Sequence, residues 1–164
     1  MSQRVGDRYL AKKSSVNIYS DDPCKGDSND DMCLNELAKQ RRTPSPDNVK
    51  KIRLKIGLGV TLSKENGSIW LYNRSMLPIF VNSPTLSENW HCVCKILPGY
   101  CLKAFDSERA QTLKYPSHFP GAQLGPKDPY GMQISFGKGW GDKYKRQDVT
   151  NCPCWFEVLL PTQR

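Results

Sequence analysis

The chain has 164 residues, the size of one ordinary domain, and its 24 Lys+Arg against 16 Asp+Glu leave a net charge of +8. Apolar residues at 38%, with four Trp, seven Tyr and five Phe, supply a core and exclude a wholly disordered chain. No apolar run approaches the roughly 18 residues that span a bilayer, and the polar residues 1–10 are no secretory signal; the seven cysteines are therefore expected to be reduced thiols in a chain of the cytoplasm and nucleus.

Short strands are expected at 8–12 and 16–19, the second with Val16 and Ile18 inward and Asn17 and Tyr19 outward. An acidic loop over 20–31 leads into a helix at 32–40, where Leu34, Leu37 and Ala38 have helical spacing. Thr43-Pro44-Ser45-Pro46 stops it, because proline fixes φ and its predecessor avoids the helical region. Asp47 or Asn48 then caps a second helix running to Lys55, which Gly57 and Gly59 terminate. From Val60 the pattern turns to β. Strands at 59–64 and 68–74 flank Glu65-Asn66-Gly67, a hairpin signal because Asn-Gly readily adopts positive φ. Further strands are expected at 77–82, 92–96 and 100–105, a short helix at 107–113, a Pro/Gly-rich loop over 114–130, and closing strands at 132–136 and 154–160. Short strands this close together point to one mainly β domain, an antiparallel sandwich with a few peripheral helices.

No phosphate-cradling loop, nucleophile elbow or H-E-x-x-H motif is present, and only His91 and His118 could serve as imidazole bases, so the chain is not expected to be an enzyme. His91, Cys92, Cys94 and Cys101, or Cys152 with Cys154, could be imagined as zinc ligands. Both close pairs are C-x-C in strand-like sequence, where i and i+2 share a face, so they read as small core residues and neither metal nor cofactor is expected.

Charge is segregated. Residues 21–31 carry a net −4, residues 39–55 a net +6 and residues 138–146 a net +3, which implies an acidic partner. In the second basic stretch, Gly137, Gly139 and Gly141 alternate around Lys138 and Trp140. The glycines free the backbone and offer N–H donors, Trp140 pins the loop, and Lys138, Lys143, Tyr144, Lys145 and Arg146 project; that is a receptor for phosphoserine or phosphothreonine, or else a solvated basic turn. In the first stretch Lys51 and Lys55 share one helix face, with Arg53 to the side and Ile52 and Ile56 on a face suited to packing.

The run Gln133-Ile134-Ser135-Phe136-Gly137-Lys138-Gly139-Trp140-Gly141, followed by Tyr144, Arg146-Gln147 and Cys152-Pro153-Cys154-Trp155, resembles the C-terminal Mad-homology domain of Smad proteins. Arg4-Val5-Gly6, Cys33-Leu34, residues 55–60, Pro78-Ile79-Phe80-Val81, Pro98-Gly99-Tyr100 and Lys103-Ala104-Phe105-Asp106 extend the likeness over nearly the whole chain in order. Trp70-Leu71-Tyr72-Asn73-Arg74 and residues 80–86 resemble the inhibitory branch, and the closing residues 159–164 lack the Ser-Ser-x-Ser tail of receptor-activated members.

The resemblance implies a β-sandwich with a loop-and-helix face at one end. It also implies a signalling antagonist of the transforming growth factor-β and bone morphogenetic protein pathways, which binds phosphorylated type I receptor kinases and other Smads. The residues matching that site are Lys51, Lys55, Lys138, Gly139, Trp140, Gly141, Lys143, Tyr144, Lys145 and Arg146, with Trp140 and Tyr144 shaping the loop. The charge pattern alone keeps nucleic acid as the alternative partner. Departures from the family are visible, among them an unusual acidic insert at 24–31. The aromatic first strand before Arg4 is missing, which predicts an unpaired sheet edge, and Asn35 replaces a glycine. Gly137 replaces a larger apolar residue, which predicts a looser loop. The Pro-Pro-x-Tyr linker motif is absent, so these residues alone are not expected to recruit a ubiquitin ligase.

Overall fold

The computed structural model describes residues 8–21, 31–86, 92–113 and 128–161. Arg4-Val5-Gly6, His91, His118, and most of the 20–31 and 114–130 loops lie outside these residues. In chain order the elements are β1 (Ser15–Tyr19), β2 (Met32–Cys33), α1 (Leu34–Lys39), α2 (Asp47–Ile56), β3 (Val60–Glu65), β4 (Ser68–Asn73), β5 (Ile79–Asn82), β6 (Cys94–Ile96), β7 (Cys101–Asp106), α3 (Ser107–Thr112), β8 (Gly131–Phe136), a 3₁₀ turn (Val149–Asn151) and β9 (Trp155–Leu159).

Two sheets face each other, ordered β2-β1-β3-β4-β7 and β6-β5-β8-β9. All pairings are antiparallel except the short β1–β2 contact, where Ile18 lies opposite Met32. The inward residues of the two sheets form the main core: Ile18, Val60, Leu71, Ile79, Val81, Met132, Ile134 and Phe136 are all buried, with Ile52 and Ile56 of α2 among them. This is the mainly β sandwich expected from the strand spacing. The β3–β4 hairpin closes through Asn66 at φ 49° and Gly67 at φ 79°, two positive angles that match the twist of the paired strands.

Two elements differ from expectation. Residues 8–12 form no strand and are exposed, because local alternation is a weak signal for a strand. The helix expected over 32–40 begins only at Leu34, because Met32 and Cys33 are drawn into register beside Ile18 and Tyr19. The six cysteines among the described residues are free thiols. Cys92 and Cys94 are half-buried with their thiols in contact, and burial together with that contact pushes the Cys94 thiol up.

Candidate functional site

One end of the sandwich gathers the starts of β3, β5, β7 and β9 and the ends of β1, β4, β6 and β8, as the register pairs Ile18–Val60, Val60–Asn73, Ile79–Ile96, Ile79–Phe136 and Ser135–Trp155 require. Both basic elements sit here. Helix α2 runs directly into β3, and the glycine loop leaves from the end of β8.

Neither Asp47 nor Asn48 caps α2: Asp47 is its first residue, and Pro46, at φ −57° and ψ 153°, holds the N-cap position with no side-chain cap bond, because its extended conformation brings the chain in without a helical turn. Ile52 and Ile56, four apart, bury one face. Gly57 at φ 51° and Gly59 at φ 67° end the helix. Lys51 and Lys55 are exposed on another face, and Leu54 between them is 85% exposed. Arg53 points elsewhere: its Nη2 donates to Ser45 Oγ at 3.2 Å, and its charge reaches Cys154.

The loop is built around buried groups. Trp140 is 1% exposed and packs with Phe80, Val149 and Cys152, apart from the main core. The Tyr144 ring lies over Gly139, where a Cβ would fall 2.6 Å from it, and meets Phe80 edge-on at 5.5 Å. Gly141, at φ 90°, donates its N–H to Arg146 O at 2.7 Å and accepts at its carbonyl from Tyr144 N–H at 2.9 Å. Cys152 Sγ donates to Lys138 O at 3.5 Å. Burial pushes the Cys152 thiol up, while a Ser135 hydrogen bond and the nearby Arg146 guanidinium pull against it.

Gly137 does not slacken the loop. It sits at φ 71°, a region that a larger apolar residue enters only with strain, and its N–H donates to Pro78 O at 2.8 Å. The glycine N–H groups expected to face a ligand are in part turned inward, since those of Gly137 and Gly141 both end on backbone carbonyls. Gly139, Trp140 and Gly141 are buried and set the loop's shape; Lys138, Lys143, Tyr144 and Lys145 are exposed, and Arg146 is half-buried.

The segment 73–78 straps the two elements together. The Asn73 side-chain amide donates to Leu77 O at 2.8 Å and to Ile96 O at 2.9 Å, crossing from one sheet to the other. Arg74 N–H donates to Gly59 O beyond α2, and Leu77 packs beside Gly137. Sequence reasoning missed this strap, and it set Arg53 to the side of the Lys51–Lys55 face without finding its contact with Ser45.

The MH2 domain family matches residues 1–161. The chain belongs to it. As an MH2 domain it is 44% identical to "Mothers against decapentaplegic homolog 6" of Gallus gallus, over 98% of its own length and 36% of that protein. It is 39% identical to "Mothers against decapentaplegic homolog 7" of Homo sapiens, over 96% of its length and again 36% of that protein. Both relatives are inhibitory Smads, and the chain spans about a third of the length of each. Among solved structures, the interferon regulatory factor 9 IAD domain aligns over 76% of this chain and 60% of that one, at a TM-score of 0.48 and 12% identity. MH2 domains of Smad proteins are signalling and protein-interaction modules.

Proposed function

We propose that this MH2 domain is an inhibitory module that occupies the phosphorylated glycine-serine segment of a type I receptor kinase, and so keeps receptor-activated Smads from it. The observation that carries this reading is the convergence of two basic elements at one end of the sandwich, Lys51 and Lys55 on α2 and Lys138, Lys143, Lys145 and Arg146 on a loop whose shape Trp140 fixes from beneath. The mechanism is occupancy. Several charge-assisted hydrogen bonds, each about 1.5–3 kcal/mol before desolvation, make binding depend on phosphate and weaken with salt. Other Smads with phosphoserine tails offer the same chemistry and are the second class of partner.

Calorimetric titration with a type I receptor cytoplasmic domain, phosphorylated or not, tests this. Binding only to the phosphorylated form is expected, and Lys138→Glu with Arg146→Glu weakens it at least a hundredfold while circular dichroism stays native. Equal affinity for both receptor forms sinks the reading. A steep salt dependence for arbitrary duplex DNA, with no receptor binding, transfers the basic surface to nucleic acid instead.

A further inference from the structure

We propose that Ser45, within Thr43-Pro44-Ser45-Pro46, is a phosphorylation site for a proline-directed serine/threonine kinase, and that the cleft between β1, α1 and α2 receives its phosphate. Thr43 and Ser45 are each followed by proline, the residue such kinases require, in a stretch between α1 and α2 that forms neither helix nor strand. What separates Ser45 from Thr43 is the destination of its side chain. Ser45 lines an open cleft of about 650 Å³ with Lys39, Lys50 and Arg53, against Asp21 and Glu36. Its Oγ already accepts a hydrogen bond from Arg53 Nη2 at 3.2 Å. Among the described residues Arg53 makes no ion pair, and the partners of Lys39 and Lys50 are Glu36 and Asp47, exposed carboxylates three residues away on their own helices. The cations around this hydroxyl are thus free to turn to a stronger anion.

In the reaction an O–P bond forms at Ser45 Oγ, the bond from the γ-phosphorus of ATP to the ADP oxygen breaks, and the hydroxyl proton passes to the kinase's base. The product brings close to two negative charges and three acceptor oxygens to a guanidinium that can grip two of them at once. Ser45 is 9% exposed, so the segment opens for transfer. One hydrogen bond from Arg53 holds the hydroxyl, and the flanking Thr43, Pro44 and Pro46 are exposed, so opening uncovers no core. The dianion then sits against Lys50 and Arg53, on the helix that carries Lys51 and Lys55, and lowers the positive potential there. The consequence, weaker capture of a phosphorylated receptor, rests on the receptor reading above; the modification itself does not.

The test incubates the full chain with a mitogen-activated protein kinase and ATP–Mg²⁺ and maps the product by tandem mass spectrometry. Phosphate on Ser45 is expected, lost in Ser45→Ala and kept in Thr43→Ala. The Arg53 Nε–H resonance shifts on phosphorylation and the melting temperature rises; Arg53→Gln abolishes that rise and Arg53→Lys keeps part of it. Phosphate confined to Thr43 overturns the proposal, as does phosphorylated Ser45 with the Arg53 resonance and melting temperature unmoved. So does a folded chain left unmodified while a peptide of residues 38–52 is phosphorylated beside it. If Ser45 takes phosphate and engages Arg53 but the phosphorylated receptor binds neither form, the site stands and the receptor reading falls.

Discussion

The two basic elements at the site are fixed by different means. The end of α2 is held by backbone: Gly57 O accepts from Ser20 and Asp21 N–H at 3.0 and 3.1 Å, and Gly59 O accepts from Arg74 N–H at 2.8 Å. The glycine loop is held largely by side chains, with Trp140 beneath it, Tyr144 across Gly139 and Cys152 against its carbonyls. Charges on α2 are therefore placed by helix geometry and can be altered one at a time. In the loop, charge and shape are coupled, so a change that removes no charge can still remove the site.

The largest expected effect tests the backbone joint. A Cβ at Gly59 would fall 1.8 Å from Ile18 O, at φ 67°, with only main chain to give way. Gly59→Ala should cost about 4–5 kcal/mol or more, at the exceptional end for a single methyl, and chemical denaturation should show a large fall in midpoint or loss of the cooperative transition. A mild effect there means the α2 end is not backbone-bound. Next comes the loop's side-chain anchor. Trp140→Ala should cost about 3–5 kcal/mol and abolish receptor binding with every lysine in place. Trp140→Phe, which keeps a ring and removes an N–H with no acceptor among the described residues, should cost about 1–1.5 kcal/mol. If Trp140→Ala keeps native stability and affinity, the coupling of shape to charge in the loop is wrong.

Much of the fold is legible in the sequence, for a local reason. Asn66-Gly67 declares its hairpin, Gly57 and Gly59 declare the helix stop, and the spacing of Ile52 and Ile56 declares the buried face of α2. Trp140 is legible as an anchor because an indole among three glycines has few other uses. What is hidden is tertiary. Nothing local in Met32-Cys33 announces a parallel pairing with β1, and no periodicity shows that Asn73 bridges the sheets or that Arg53 turns towards Ser45 and Cys154. Which glycine amides face inward depends on carbonyls far away in sequence, such as Pro78 O.

A pH experiment probes the seam between the two elements. Burial pushes the Cys154 thiol up to about 11 from an ordinary value of 9.0, with Arg53 of α2 pulling slightly the other way. A folded-state pKa above the unfolded one means the neutral thiol's contribution is whole below pH 9 and lost as pH rises through 11. The loss amounts to about 2–3 kcal/mol. Between pH 8 and 11 the denaturation midpoint of the parent should therefore fall more than that of Cys154→Ala. Parallel falls would show that the thiol is wetter than its place beside α2 implies.

The smallest stability effect is the most discriminating. Gly139 needs no positive φ, so its requirement is space alone, and the atoms a Cβ would strike belong to the Tyr144 ring. That ring is 36% exposed and hinged on Phe80, so it can swing aside. Gly139→Ala should then cost only about 1 kcal/mol in stability, at the low end for overpacking. The swing moves Tyr144 and the neighbouring Lys143 and Lys145, so affinity for the phosphorylated receptor should drop about tenfold with no charge changed. In a Tyr144→Ala background the obstacle is gone, so Gly139→Ala should add no further stability cost there, while the affinity stays low. If affinity in Gly139→Ala matches the parent, the lysines bind as independent charges and the loop differs from α2 only in its scaffold.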